Sequence, residues 1–67
     1  MPPTITLNGQ PRDLEPGTTL RQLVTQLSLS PEKVAIELNR RLARAAQLDR
    51  PLAPGDEIEI VTFVGGG

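Results

Sequence analysis

The amino-acid sequence predicts an α+β fold, a sheet of four or five strands with one main helix packed across a single face. Three observations predict it. Runs that alternate polar and apolar residues stand near both ends, at Thr4 to Leu7 and again from Glu57 onward. Between them Leu20, Leu23, Val24 and Leu27 have the spacing of one helix face. Turn-forming pairs, Asn8-Gly9, Pro16-Gly17 and Pro54-Gly55, punctuate the chain between these segments.

Taken in order, Thr4-Ile5-Thr6-Leu7 has the period of a half-buried strand. Asn8-Gly9 suits a tight hairpin turn because both residues tolerate positive φ. Gln10 to Leu14 is the return strand, and Pro11, which cannot donate to a ladder, marks it as an edge. Glu15-Pro16-Gly17 leads into the helix, which Thr18 or Thr19 can cap. Its other face carries Arg21, Gln22, Thr25 and Gln26, so the leucine stripe reads as core. Ser28 to Lys33, broken by Pro31, is a connection. Val34 to Leu38 is a strand with Val34, Ile36 and Leu38 on one face. Asn39-Arg40 turns the chain, and Arg41-Leu42-Ala43 is a candidate short strand. Ala45, Ala46 and Leu48 permit a helical turn between Arg44 and Pro51 without requiring one. After the Pro54-Gly55-Asp56 turn, Glu57 to Val64 is the strongest strand. Ile58 and Ile60 point to the core and Glu57 and Glu59 outward, an alternation that carries Val61 and Phe63 outward too. Periodicity alone does not decide strand order.

The 67 residues make one domain, 1–64, followed by a flexible glycine tail, 65–67. With neither Cys nor His, no disulfide or zinc site can staple it, and aliphatic residues must fill the core. The same absences remove a thiolate nucleophile, an imidazole base and an ordinary transition-metal site. No carboxylate is flanked by a credible catalytic partner, so we expect no enzyme, no metal and no cofactor. A net charge of −1 and a single aromatic residue, Phe63, argue against nucleic acid. Met1-Pro2-Pro3-Thr4 shows no basic segment followed by an apolar run, and no stretch reaches the length of a membrane span. These features fit a cytoplasmic protein with no membrane partner. The single lysine, Lys33, argues against polymer linkage through lysines.

The chain closes on Gly65-Gly66-Gly67. A terminal glycine run has a bland reading, a frayed end. It also has a functional one. Without Cβ atoms such a tail is thin and can thread a narrow channel into another protein's active site. Its carboxylate, with a pKa of about 3.3–3.7, is ionised at neutral pH and needs activation before it can react. The sequence has no phosphate-binding loop, so activation falls to a partner and the chain would be the substrate.

Three runs carry a family resemblance: Leu7-Asn8-Gly9 with Pro16-Gly17-Thr18-Thr19-Leu20, then Val34-Ala35-Ile36-Glu37-Leu38-Asn39, then Gly55 through Gly67. Over essentially its whole length the chain resembles the ThiS family, the ubiquitin-like sulfur carriers of thiamin biosynthesis. The resemblance implies a ubiquitin-like β-grasp, a mixed sheet whose first and last strands lie parallel at its centre. It also implies that the Gly67 carboxylate is adenylylated by an E1-like adenylyltransferase of ThiF type. A sulfur-donor enzyme then supplies sulfur for a thiocarboxylate, which serves a thiazole synthase of ThiG type. Without Cys, the chain can hold sulfur only at its terminus. Two departures concern a turn and a loop. The family often shows Asn-Gly where this chain has Asn39-Arg40, and often an aromatic residue where it has Ala45 to Leu48. The alternatives are the molybdopterin-synthase small subunit, which shares the fold and the Gly-Gly end, and a ubiquitin-like modifier.

The candidate site residues follow. Gly67 is the position of adenylylation and thiocarboxylation, with Gly65 and Gly66 supplying reach. Val61, Phe63 and Val64 are the candidate partner-docking patch, since exposed apolar groups on so small a domain are otherwise a liability. Arg40, Arg41, Arg44 and Arg50, like Asp56 and the outward glutamates, read first as a solvated charged face, with docking to an oppositely charged partner as the second reading.

Overall fold

A computed structural model describes residues 2–63. It contains strands β1 (Thr4–Leu7), β2 (Gln10–Asp13), β3 (Val34–Leu38), β4 (Arg41–Leu42) and β5 (Glu57–Thr62). Helices α1 (Leu20–Gln26) and α2 (Ala45–Leu48) and a 3-10 turn, Pro31–Lys33, complete it. The strands form one sheet in the order β2-β1-β5-β3-β4. β1 and β5 run parallel at its centre and the other neighbours are antiparallel, so the sheet is mixed and has the β-grasp arrangement. β2, which holds Pro11, lies on an edge as the proline requires.

Alternation decides which side of the sheet meets α1. Ile5, Ile36, Ile58 and Ile60 are buried and pack with Leu20, Leu23 and Val24 of the helix. Leu14 and Leu52, from the connections, close the same core. In a 67-residue chain without covalent staples, this aliphatic cluster carries most of the stability.

The helix ends are satisfied locally. Thr19 is the N-cap: its hydroxyl accepts from the Gln22 amide at 3.1 Å, while the Gln22 side chain accepts from the Thr19 amide at 2.9 Å. Thr18 is instead buried, and its hydroxyl donates to the Glu15 carbonyl at 2.7 Å. At the other end Ser28, with φ of 62°, takes the left-handed position usually filled by glycine. Its amide donates to Thr25 and that of Leu29 to Val24, which closes a Schellman motif. The permitted helical turn forms as α2, with the Arg44 amide held by the Gln47 side chain at 2.8 Å.

Two boundaries differ from the sequence expectation. β2 ends at Asp13, because Leu14 leaves the ladder to enter the core. Among the described residues β5 ends at Thr62 and Phe63 lies outside the ladder, since the neighbouring β3 begins at Val34, directly opposite Thr62; Val64, the expected end, is outside the described residues. No helix among the described residues is long and apolar enough to cross a membrane.

Candidate functional site at the end of strand β5

The residues expected to act lie along and beyond β5, and the sheet dictates how each is presented. Ile58 and Ile60 are buried, while Glu57, Glu59 and Val61 face away from the helix on the open side of the sheet. Val61 is 55% exposed and Phe63, one residue past the strand, is 73% exposed. Two of the three candidate docking residues, Val61 and Phe63, are therefore presented to solvent. Val64, Gly65, Gly66 and Gly67 lie outside the described residues.

What fixes the root of this segment is a pair of asparagines whose side-chain roles the sequence reading missed. Asn8 follows β1, and its amide donates to the Ile58 carbonyl at 2.8 Å. Its side-chain Oδ1 accepts from the Ile60 amide at 2.8 Å. Asn39 follows β3 and repeats the pattern on the other flank. Its amide donates to the Glu57 carbonyl at 2.7 Å and its Oδ1 accepts from the Glu57 amide at 2.9 Å. The Asn39 Nδ2 also donates to Asp56 at 3.1 Å, while the other Asp56 carboxylate oxygen accepts from the Ala53 amide at 2.8 Å. Both asparagines have positive φ, 49° and 53°, which asparagine tolerates better than other non-glycine residues. The signal was present as a repeated Leu-Asn at the ends of two strands, Leu7-Asn8 and Leu38-Asn39.

The charged residues are less concentrated than their spacing in sequence suggests. Arg40, Arg41, Arg44 and Arg50 are all exposed. Arg40 lies 3.5 Å from Glu57, and both side chains are mostly in solvent, so this pair adds little. The shortest ion pair among the described residues joins α1 to the residue after α2: Arg21 meets Asp49 at 2.8 Å. The hydrogen bond from that guanidinium holds the Asp49 carboxyl below the usual carboxylate range. No group of three or more His, Cys, Asp or Glu side chains among the described residues is arranged to hold a metal ion.

Comparison with known proteins gives this arrangement a family. A model of the ThiS family matches residues 5–67. The chain belongs to the ThiS family. A sulfur carrier protein ThiS of Thermus thermophilus is 39% identical over 62 residues, which cover 91% of this chain and 95% of that relative. A thiazole synthase of Magnetococcus marinus is 45% identical over 64 residues, covering 94% of this chain and 20% of the synthase. The chain thus spans about a fifth of the length of that relative. Among solved structures, the crystal structure of a thiamine biosynthesis protein, ThiS, from Geobacter metallireducens superposes with a TM-score of 0.71 at 29% identity. That alignment covers 96% of this chain and 99% of the other. That superposition shows that the chain and the solved ThiS structure share one fold.

Proposed function

We infer that this chain is a sulfur carrier of thiamine biosynthesis, acting as a protein co-substrate rather than as a catalyst. The observation that carries this reading is the family match, which runs from Ile5 through the final glycines. The near full-length likeness to a sulfur carrier supports it. These relatives favour it over a molybdopterin-synthase subunit or a protein modifier.

In this reading residues 65–67 are the working tail of a domain ending at residue 64. The Gly67 carboxylate attacks the α-phosphorus of ATP on an E1-like adenylyltransferase, and pyrophosphate leaves. Sulfide-level sulfur supplied by a donor enzyme then attacks the acyl carbon, AMP leaves, and a thiocarboxylate remains at Gly67. The domain supplies no acid or base to these steps. Its contribution is positional: the two asparagines fix the start of β5, and the exposed Val61 and Phe63, with Val64 beyond, form the apolar surface that docks beside the partner's channel. A thiazole synthase is the expected acceptor of the sulfur. The likeness to part of a named thiazole synthase supports that choice, because a carrier-like segment within a synthase keeps the two activities together.

Intact-mass measurement tests the reading. After incubation with ATP, the activating enzyme and a sulfur donor, we expect an oxygen-to-sulfur replacement at Gly67. Recovery of unchanged protein from an active enzyme mixture would sink it, and a covalent adduct to a second protein would identify a modifier instead.

A further inference from the structure

The open face of the sheet holds a pair of charges that the fold itself does not need. Glu37 of β3 stands directly opposite Glu59 of β5 in the antiparallel register. Like charges placed directly opposite destabilise a sheet. Neither carboxylate has an ion-pair partner among the described residues, since the neighbouring Arg40 engages Glu57. A recess of about 160 Å³ opens at this point, lined by Glu37, Glu57 and Glu59 with Arg40, Thr6 and Gly9. One water's share of liquid is about 30 Å³, so the recess admits the head of a long side chain. Three carboxylates against one guanidinium make it acidic. Exposed apolar groups adjoin it: Leu42, paired with Glu37 on β4 and 63% exposed, and Val61, two residues beyond Glu59 on β5 and 55% exposed.

On these observations we propose that the open face docks a thiazole-synthase-type partner through an arginine or lysine inserted between Glu37 and Glu59, with apolar groups of the partner against Leu42 and Val61. This deepens the sulfur-carrier reading and rests on it. The charge complementarity sets orientation as well as contact. The acidic recess lies toward the start of β5, with Val61 further along the strand and Leu42 to one side on β4, so a partner with the matching arrangement accepts the domain in one sense along the strand. That sense carries the end of β5 toward the channel. A guanidinium fits the site better than an ammonium, because its planar fork can donate to both carboxylates at once.

The double substitution Glu37→Gln with Glu59→Gln tests this. Binding of the carrier to a separately encoded thiazole synthase is titrated at low and at raised salt, beside thermal unfolding of both carriers. We expect the variant to bind roughly three- to tenfold more weakly at low salt, to lose most of the salt dependence seen with the parent, and to unfold at the same or a higher temperature. Equal affinity and an equal salt response for both carriers would overturn the proposal. So would weaker binding that tracks a fall in unfolding temperature, which would make the pair structural. A parent carrier that becomes thiocarboxylated yet does not bind the synthase would also overturn it, assigning the face to another partner. Failure of thiocarboxylation itself is a separate result and strikes the sulfur-carrier reading.

Discussion

At its start β5 is held from both sides. β1 pairs with it through Glu57 and Ile58, Asn8 extends that grip to Ile60, and Asn39 caps the opposite flank. At its end the same strand is laddered only to β3, which itself begins opposite Thr62. The inward residues of the first part are buried, while Val61 and Phe63 in the second stand in solvent. One strand thus serves two physical purposes. Its first half is anchored by burial and by hydrogen bonds that the chain makes to itself. Its second half leaves Val61 and Phe63 uncovered ahead of the glycine run, as the docking role proposed for them requires.

Truncating a residue in each half should break the two apart most sharply. Ile58 is 1% exposed at the centre of the core, so Ile58→Ala should cost about 2–5 kcal/mol, a large part of the ~5–15 kcal/mol that a domain of this kind has. Val61→Ala should change stability by no more than about 0.5 kcal/mol. It should instead slow sulfur loading or transfer. Urea unfolding of both variants, read beside intact-mass kinetics, checks the contrast. A Val61 variant as unstable as the Ile58 variant would show that the outer half is structural after all.

The next effect separates the two flanks of the clamp. Asn8 accepts from the amide of Ile60, a buried residue, whereas Asn39 accepts from the amide of Glu57, an exposed one. Loss of an acceptor leaves the more buried amide at the greater disadvantage, about 1–3 kcal/mol for a group cut off from water. Asn8→Ala should therefore lower stability more than Asn39→Ala. Both also force alanine into positive φ, a cost the two variants share, and Asn39→Ala loses in addition its solvent-exposed bond to Asp56, which is worth little beside an amide cut off from water. Equal losses would mean that solvent reaches both amides equally well.

How much of this was legible in the sequence follows from the length scale of each signal. The inward and outward assignments of Ile58, Ile60 and Val61 rest on a period of two and were readable, as were the leucine stripe of α1 and the edge position of Pro11. The parallel pairing of β1 with β5 joins residues some fifty positions apart, and no local pattern encodes it. The β-grasp resemblance supplied it instead. Strand ends were overrun at Leu14 and Phe63, which keep strand-like composition where the side chain is drawn into the core or the neighbouring strand has stopped. The Glu37–Glu59 pair was invisible for the same reason as the asparagine clamp. Each depends on which residues the register brings opposite, and register is set by the whole sheet.

The smallest expected effect concerns the second residue of each turn beside β5. Asn8-Gly9 and Asn39-Arg40 both hold their two residues at positive φ, with Gly9 at 83° and Arg40 at 70°. Glycine adopts this region at no steric cost, whereas a residue with a Cβ loses roughly 1–2 kcal/mol there. The exposed Arg40–Glu57 pair at 3.5 Å returns only a small part of that. Arg40→Gly should thus stabilise the domain by a few tenths to about 1 kcal/mol, the gain in φ being partly offset by the greater freedom of glycine in the unfolded chain. Arg40→Ala is the informative control, since it removes the ion pair and keeps the strained backbone, and it should give no gain. If both variants were destabilised alike, the guanidinium would be holding the start of β5 through Glu57, and the two turns would differ in chemistry rather than only in backbone strain.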